Sequence, residues 1–327
     1  MTIAPHPDTA PVAAPRPRHR PSPRPSTRVL DAEAHPVTPL RRPAGGARAW
    51  VRAARPRQWT KNLLVFGAPL AAGALSQPGV FVRVSLTAVA FCLLSTGVYL
   101  FNDVCDAAED RRHPVKRHRP IASGAVPAGR ALAAGAASIL LGAALSAAIS
   151  SSVLVIAAGY ALLNVSYTMW LRRVAIADIA AIAGAFVCRA AAGGIAAGVP
   201  ISRWFIVVVS FAALFVAAGK RYADFVDPAA RRSRPVLEQY TAEFLRLVLT
   251  VACAVALGAY CLWAFEVRSG GGVPWRAMTI CPFTIAVLRY GLLVSTGNAG
   301  APEQVMFTDR FIQIVGAAWL VMFGLGV

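Results

Sequence analysis

The sequence predicts an all-α membrane protein, a bundle of about nine transmembrane helices, and three observations carry that expectation. Of 327 residues, 57% are hydrophobic and the mean hydropathy is +0.56, well above the roughly 45–50% apolar content of a soluble domain. The apolar residues gather into runs of about 20, the length a helix needs to cross about 30 Å of hydrocarbon. The formal net charge of +18 sits mainly in an N-terminal stretch and in short segments between those runs. Such a distribution suits membrane topology and anionic substrates. No helix-turn-helix, zinc-finger or RNP-type aromatic pattern occurs, so no nucleic-acid partner is expected.

Taken in order, residues 1–49 are rich in Pro, Arg and Ala, as in Pro15-Arg16-Pro17. They show no apolar period and read as a disordered basic tail. The tail has no apolar core of the kind a signal peptide carries, and its charge suits anionic lipid headgroups. Residues 50–327 form the second unit, a transmembrane catalytic domain. Its apolar runs fall at 62–78, 80–101, 128–149, 152–170, 174–197, 201–219, 243–265, 274–295 and 308–327. The first is the least regular, broken by Gly67, Pro69 and Gly73. Six cysteines form no C-x-x-C pair and read as small packed hydrophobes.

Loop charge sets the orientation. One set of loops carries Arg111, Arg112, Lys116, Arg117 and Arg119, then Arg172 and Arg173, then Lys220, Arg221, Arg231, Arg232 and Arg234; the opposite set has Arg83, Arg203, Arg268 and Arg276. The positive-inside rule therefore places the N-terminus and the long loops 102–127 and 220–242 in the cytoplasm, in a multi-pass protein of the cytoplasmic membrane.

The residues that carry chemistry begin with Asn102-Asp103-Val104-Cys105-Asp106-Ala107-Ala108-Glu109-Asp110. Asp103, Asp106 and Asp110 are spaced i, i+3, i+7 and share one helix face. Three carboxylates on one stripe repel each other unless a cation sits among them. Their hard oxygens suit Mg²⁺, which commonly shares its coordination between a few carboxylates and substrate phosphates. The most basic loop of the chain follows at once, Arg111-Arg112-His113-Pro114-Val115-Lys116-Arg117-His118-Arg119-Pro120. Carboxylates for a metal beside cations for the remaining charge is what a diphosphate needs. His113 and His118 belong to no metal-ligand pattern, and His113-Pro114 is expected to shape the loop.

The pattern N-D-x-x-D-x-x-x-D resembles the first aspartate motif of the UbiA superfamily of membrane prenyltransferases, and the resemblance covers about residues 50–327. It implies a helical bundle around a central cavity open to the cytoplasmic face. The run from Asp110 to Gly124, with Arg55-Pro56-Arg57-Gln58-Trp59-Thr60-Lys61-Asn62 and Gly219-Lys220-Arg221-Tyr222-Ala223-Asp224, resembles the branch that transfers 5-phosphoribosyl from phosphoribosyl pyrophosphate to a polyprenyl (decaprenyl) phosphate in cell-wall arabinan synthesis. In one respect the chain departs from the family. Its usual second motif has several Asp at four-residue spacing, where this sequence offers Asp224 and Asp227 behind Lys220 and Arg221.

The resemblance implies a site. Asp103, Asp106 and Asp110 are the catalytic, Mg²⁺-holding carboxylates. Asn102, Arg57, Lys61, Arg111, Lys116, Arg117, Arg119, Lys220, Arg221 and Asp224 are candidate substrate contacts. The chain uses lysine only at Lys61, Lys116 and Lys220, all at expected cytoplasmic span ends, where a compact mobile cation serves differently from an arginine fork. Within the spans, Tyr167 is a candidate for a phosphate or ribose hydroxyl and equally for an interface-belt tyrosine. Asp178 and Arg189 share a stripe, either as a structural pair or with Arg189 facing a substrate phosphate. Glu266 with Trp263 reads as structural. A prenyltransferase with an aromatic acceptor would use the same Mg²⁺ site. A transporter would need charges at the membrane midplane, whereas these cluster at one face. A homo-oligomer stays open.

Overall fold

The structure, a computed structural model, describes residues 46–232, 234–266, 273–297 and 302–326. The expected tail lies outside them except for its last residues, which already enter a helix. The described helices are α1 (Ala47–Ala54), α2 (Gly67–Ala71), α3 (Pro78–Cys105), α4 (Ala107–Arg112), α5 (Ala128–Ile149), α6 (Ser151–Met169), α7 (Ala177–Ala197), α8 (Arg203–Val226), α9 (Pro228–Arg232), α10 (Ala242–Glu266), α11 (Trp275–Met278), α12 (Ile280–Ser295), α13 (Pro302–Thr308) and α14 (Arg310–Leu325). The 3₁₀ segments Pro56–Phe66, Lys116–His118, Leu171–Arg173 and Pro235–Gln239 lie between them.

Seven of these segments are long and apolar enough to cross a membrane: α3, α5, α6, α7, α8, α10 and α11–α12 taken together. This is a multi-pass membrane protein, with seven such helices among the described residues where nine were expected. The expected span 62–78 is instead the 3₁₀ segment Pro56–Phe66 followed by the five-residue α2. Pro69 and two glycines, one of them Gly73 at φ 67°, deny that run a continuous i to i+4 ladder. The expected span 308–327 forms the 16-residue α14, about 24 Å long at 1.5 Å per residue.

Local signals mark the ends of the long helices. Pro78 opens α3 at a position where its missing N–H costs nothing. The Ser150 hydroxyl accepts from the Val153 amide at 3.1 Å and starts α6. Gly198, at φ 68°, ends α7 in the left-handed cap that glycine adopts without strain. The core joins Val84, Phe91 and Leu94 of α3 to Tyr160 of α6, Ala192 of α7 and Val65. Leu140 and Leu141 of α5, Leu162 of α6 and Leu247 of α10 point outward, which lipid tolerates and water would not.

Two close approaches fix the frame around α3. A Cβ added at Gly97 would lie 2.5 Å from the Gly135 carbonyl, and one at Gly142 would lie 2.9 Å from that of Ala90, so α3 and α5 meet backbone to backbone. On α7, a Cβ at Gly193 would collide with the Val65 carbonyl, which seats the 3₁₀ segment against that helix.

Candidate active site

α3 ends one residue before Asp106, and α4 begins one residue after it. The backbone stays near-helical across the break: the Asp106 amide donates to Asn102 O at 2.9 Å and the Asp110 amide to Asp106 O at 2.8 Å. Asp103 and Asp110 are buried and converge on one guanidinium. Arg119 Nη1 lies 2.7 Å from Asp110 and 3.3 Å from Asp103. Arg55 closes on Asp103 from the other side. Asp106 turns away from this pair to Arg172, at 2.8 Å. A cavity of about 370 Å³ opens here, lined by Arg52, Arg55, Asp103, Val115, His118, Arg119 and Pro120.

The chain builds this corner with an unusual backbone. Arg55 sits at φ 53°, ψ 58° between α1 and Pro56, a left-handed conformation that a side chain with a Cβ adopts at a cost. It carries the guanidinium back toward Asp103 and over the Tyr99 ring at 5.3 Å. In the basic loop, His113 Nδ1 accepts from the amides of Val115 and Lys116 at 3.2 and 3.3 Å. Arg111 Nε donates to Ala122 O at 3.2 Å. The loop is thereby folded over the end of α3, with Arg119 half-buried beside Asp103 and Asp110.

A second cluster joins the same end of α6, α7 and α8. Arg221 is fully buried. Its guanidinium donates to both oxygens of Asp178, to Tyr167 Oη at 2.9 Å and to Asp224 at 3.1 Å. Arg234 reaches Asp224 at 3.3 Å. Asp178 thus pairs with Arg221, and the pairing with Arg189 considered from the sequence does not form. The eleven-residue spacing aligns Asp178 and Arg189 on one stripe but leaves them three helical turns apart.

Arg189 lies deeper. It donates to Asn62 Oδ1 at 2.8 Å, Ala185 O at 2.7 Å and Tyr160 Oη at 2.7 Å, with the Tyr160 ring 4.6 Å away. Asn62 in turn donates to Ser95 and to Cys92. Arg189 therefore locks the segment that carries Arg57 and Lys61.

The profile of the UbiA prenyltransferase family matches residues 63–315. The chain belongs to the UbiA prenyltransferase family. The decaprenyl-phosphate phosphoribosyltransferase of Corynebacterium glutamicum is 39% identical over 286 residues, covering 85% of this chain and 86% of its own length. Its counterpart in Mycobacterium tuberculosis H37Rv is 40% identical over 293 residues, covering 87% and 96%. Among solved structures, a UbiA homolog from Archaeoglobus fulgidus bound to GPP and Mg²⁺ matches with a TM-score of 0.68 at 16% identity, covering 85% of this chain and 98% of that one. That likeness shows the fold.

Set within this UbiA fold, the sequence-derived residues divide. Asp103 and Arg119 line the cavity, Asp110 is joined to them through Arg119, and Asp106 pairs with Arg172. Arg57, Arg111 and Arg117 are exposed, while Asn102, Lys61, Lys116 and Lys220 are half-buried near the same end. Arg189, Arg221 and Tyr167, three candidate substrate contacts, are committed to protein partners. Among the described residues no three carboxylates, imidazoles or thiolates already form a metal cage. Arg55 and Arg172 were missed as partners of the carboxylates. Arg55 stands inside a matched sequence segment and Arg172 in a basic loop, so charge was legible where pairing was not. Outside the spans, burial pushes the Tyr240 phenol above its ordinary pKa.

Proposed function

We infer that this UbiA protein transfers 5-phosphoribosyl from phosphoribosyl pyrophosphate to decaprenyl phosphate, releasing pyrophosphate. The observation that carries this reading is the close, near-full-length similarity to decaprenyl-phosphate phosphoribosyltransferases, joined to a cavity lined by both carboxylate and guanidinium groups. By the positive-inside rule the charged loops favour a cytoplasmic catalytic end and N-terminus, on the side where a soluble phosphorylated-sugar donor is available. Residues 1–49 act as a separate tail and residues 50–327 as the catalytic unit.

Mg²⁺ fits the donor set. Buried Asp103 and Asp110 hold a cation between them in the form of Arg119, and Asp106, here paired with Arg172, would add a third hard oxygen on turning back. A magnesium site shared with substrate phosphates needs only one or two carboxylates from the protein, so the lack of a ready cage suits it. Asp103, Asp106 and Asp110 would hold the ion, which when bound neutralises charge on the pyrophosphate group.

The remaining work falls to the chain's own cations. Arg55 and Arg119 line the cavity and present N–H donors to the donor's phosphates. Lys116 and Arg117 extend that field at its rim. Lys61 and Arg57, on the segment locked by Arg189 and Asn62, take the lipid phosphate. Lys220 takes the ribose 5-phosphate, with Arg221, Asp178 and Tyr167 holding that end of α8 in place. As the C1′–O bond to pyrophosphate lengthens, C1′ gains oxocarbenium character and a lipid phosphate oxygen attacks it. That oxygen is already ionised near neutral pH, so no strong general base is required. Alignment of the two substrates supplies much of the rate.

The test is an assay of purified protein with labelled phosphoribosyl pyrophosphate and polyprenyl phosphates of several lengths, with and without Mg²⁺. Mg²⁺-dependent label in the lipid fraction is expected. Turnover of a prenyl diphosphate onto an aromatic acceptor, with the labelled donor ignored, overturns the reading and leaves the fold standing.

A further inference from the structure

The loop between α6 and α7 contains a backbone feature that the transfer chemistry alone does not use. Ile176 adopts φ 67°, ψ −51°, and the Ala177 amide donates to Ala175 O at 2.8 Å. Together these make a γ-turn of the rare positive-φ form, a strained geometry, here centred on a β-branched residue. Such a turn persists only where its surroundings over-determine it.

Two neighbouring residues from the α8–α10 connection do so. Tyr240 Oη accepts from the Ile176 amide at 2.8 Å. Gln239 accepts from the Ala175 amide at 3.1 Å and donates to Arg173 O at 2.9 Å. Tyr240 is buried beside Val236, Leu237 and Leu245 and stacks on Phe244, so its hydroxyl is delivered from a packed base.

The clamped turn stands between two ion pairs. Before it, Arg172 reaches Asp106 of the aspartate motif at 2.8 Å. After it, Asp178 opens α7 and holds Arg221, beside Lys220. The loop is therefore a strut from one candidate substrate-binding region to the other, and its length is set by the turn. We propose that Gln239 and Tyr240 are positioning residues for the transfer reaction: they hold the Ile176 turn in its left-handed form and so fix the separation of the Asp106 and Arg221 ends of the site. This rests on the phosphoribosyl-transfer reading above.

The experiment compares the full chain with Tyr240→Phe, Ile176→Gly and the double variant, measuring kcat, KM for phosphoribosyl pyrophosphate, KM for decaprenyl phosphate, and thermal unfolding in detergent. Tyr240→Phe keeps the packed ring and removes the acceptor. A misaligned pair of substrates is expected to lower kcat about tenfold while both KM values stay within about twofold. Glycine adopts the turn without strain, so Ile176→Gly alone retains parental kcat and, added to Tyr240→Phe, restores most of it. A role in stability alone would move unfolding and leave kcat of the folded fraction untouched. Gln239→Ala, at the exposed end of the clamp, gives the same comparison should Tyr240→Phe not fold. An unchanged kcat in the folded clamp variant overturns the proposal, as does a loss that Ile176→Gly fails to recover. If the parent transfers no phosphoribosyl group, the functional reading falls and the positioning role falls with it; an active parent with an indifferent clamp variant removes the positioning role alone.

Discussion

The two charged clusters at the proposed catalytic end are built from the same residue types and buried in different ways. At the aspartate motif the carboxylates are inside and their cations stand at the mouth: Arg55, Arg119 and Arg172 have side chains 25%, 29% and 27% exposed. In the α7–α8 cluster the central pair is inside, Asp178 and Arg221 each at 1%. A guanidinium with one side in water can leave a carboxylate and be rehydrated. One sealed in the bundle cannot, because an unpaired buried charge is costly. The first cluster is thus suited to exchanging partners with an incoming phosphate, and the second to holding two helices in register.

The contrast predicts different failures. Asp103→Ala should cut turnover by about a thousandfold, the scale of losing a main electrostatic element, while detergent unfolding moves little, since Arg55 and Arg119 reach water; near-parental turnover at limiting Mg²⁺ would remove Asp103 from the metal site. Asp178→Ala should instead destabilise, by up to about 3–5 kcal/mol, because it removes the main partner of buried Arg221 and leaves it only Asp224 and Tyr167. Asp178→Leu combined with Arg221→Met should recover much of that stability, and a double variant as unstable as the single one would show that the cost lies elsewhere.

Between these extremes lies Lys220. Lys220→Ala should raise KM for phosphoribosyl pyrophosphate more than KM for the lipid, by about 1.5–3 kcal/mol or roughly ten- to hundredfold. Equal effects on both substrates in steady-state kinetics would break its assignment to the donor. Gly193→Ala, where the new methyl meets the Val65 carbonyl, should cost about 1–3 kcal/mol in thermal unfolding and loosen the segment carrying Lys61. Smallest of all, a chain beginning at Gly46 should keep parental turnover, and its loss in correctly inserted protein would give the tail a catalytic part.

Much of the bundle was legible because hydrocarbon imposes a length on apolar runs, and α5 falls where its run does. The two failures have local causes. Pro69 and the flanking glycines made the first run too irregular for one helix, and α14 is shorter than the apolar stretch that contains it. In the site, the i, i+3, i+7 aspartates marked where cations would gather, since few arrangements tolerate three like charges, and Arg55, Arg119 and Arg172 do gather there. Spacing along one helix could not reveal that Arg119 would bridge Asp103 and Asp110, or that Asp178 would find Arg221 rather than Arg189. Those pairings depend on which helices become neighbours. The left-handed Arg55 and Ile176 left no signal, because neither is a residue type that favours positive φ.

The backbone-to-backbone meeting of α3 and α5 has a consequence for motion. Where glycines bring the two backbones this close, the helices are expected to move as one body, with the loop that joins them carrying Arg119 along. Widening of the cavity mouth is then left to α1, tied across it by the exposed hydrogen bond from Arg52 to His118 O at 3.3 Å. Amide exchange should run faster through Ala47–Ala54 than through the last turns of α3, and the reverse order would make α3 the moving wall.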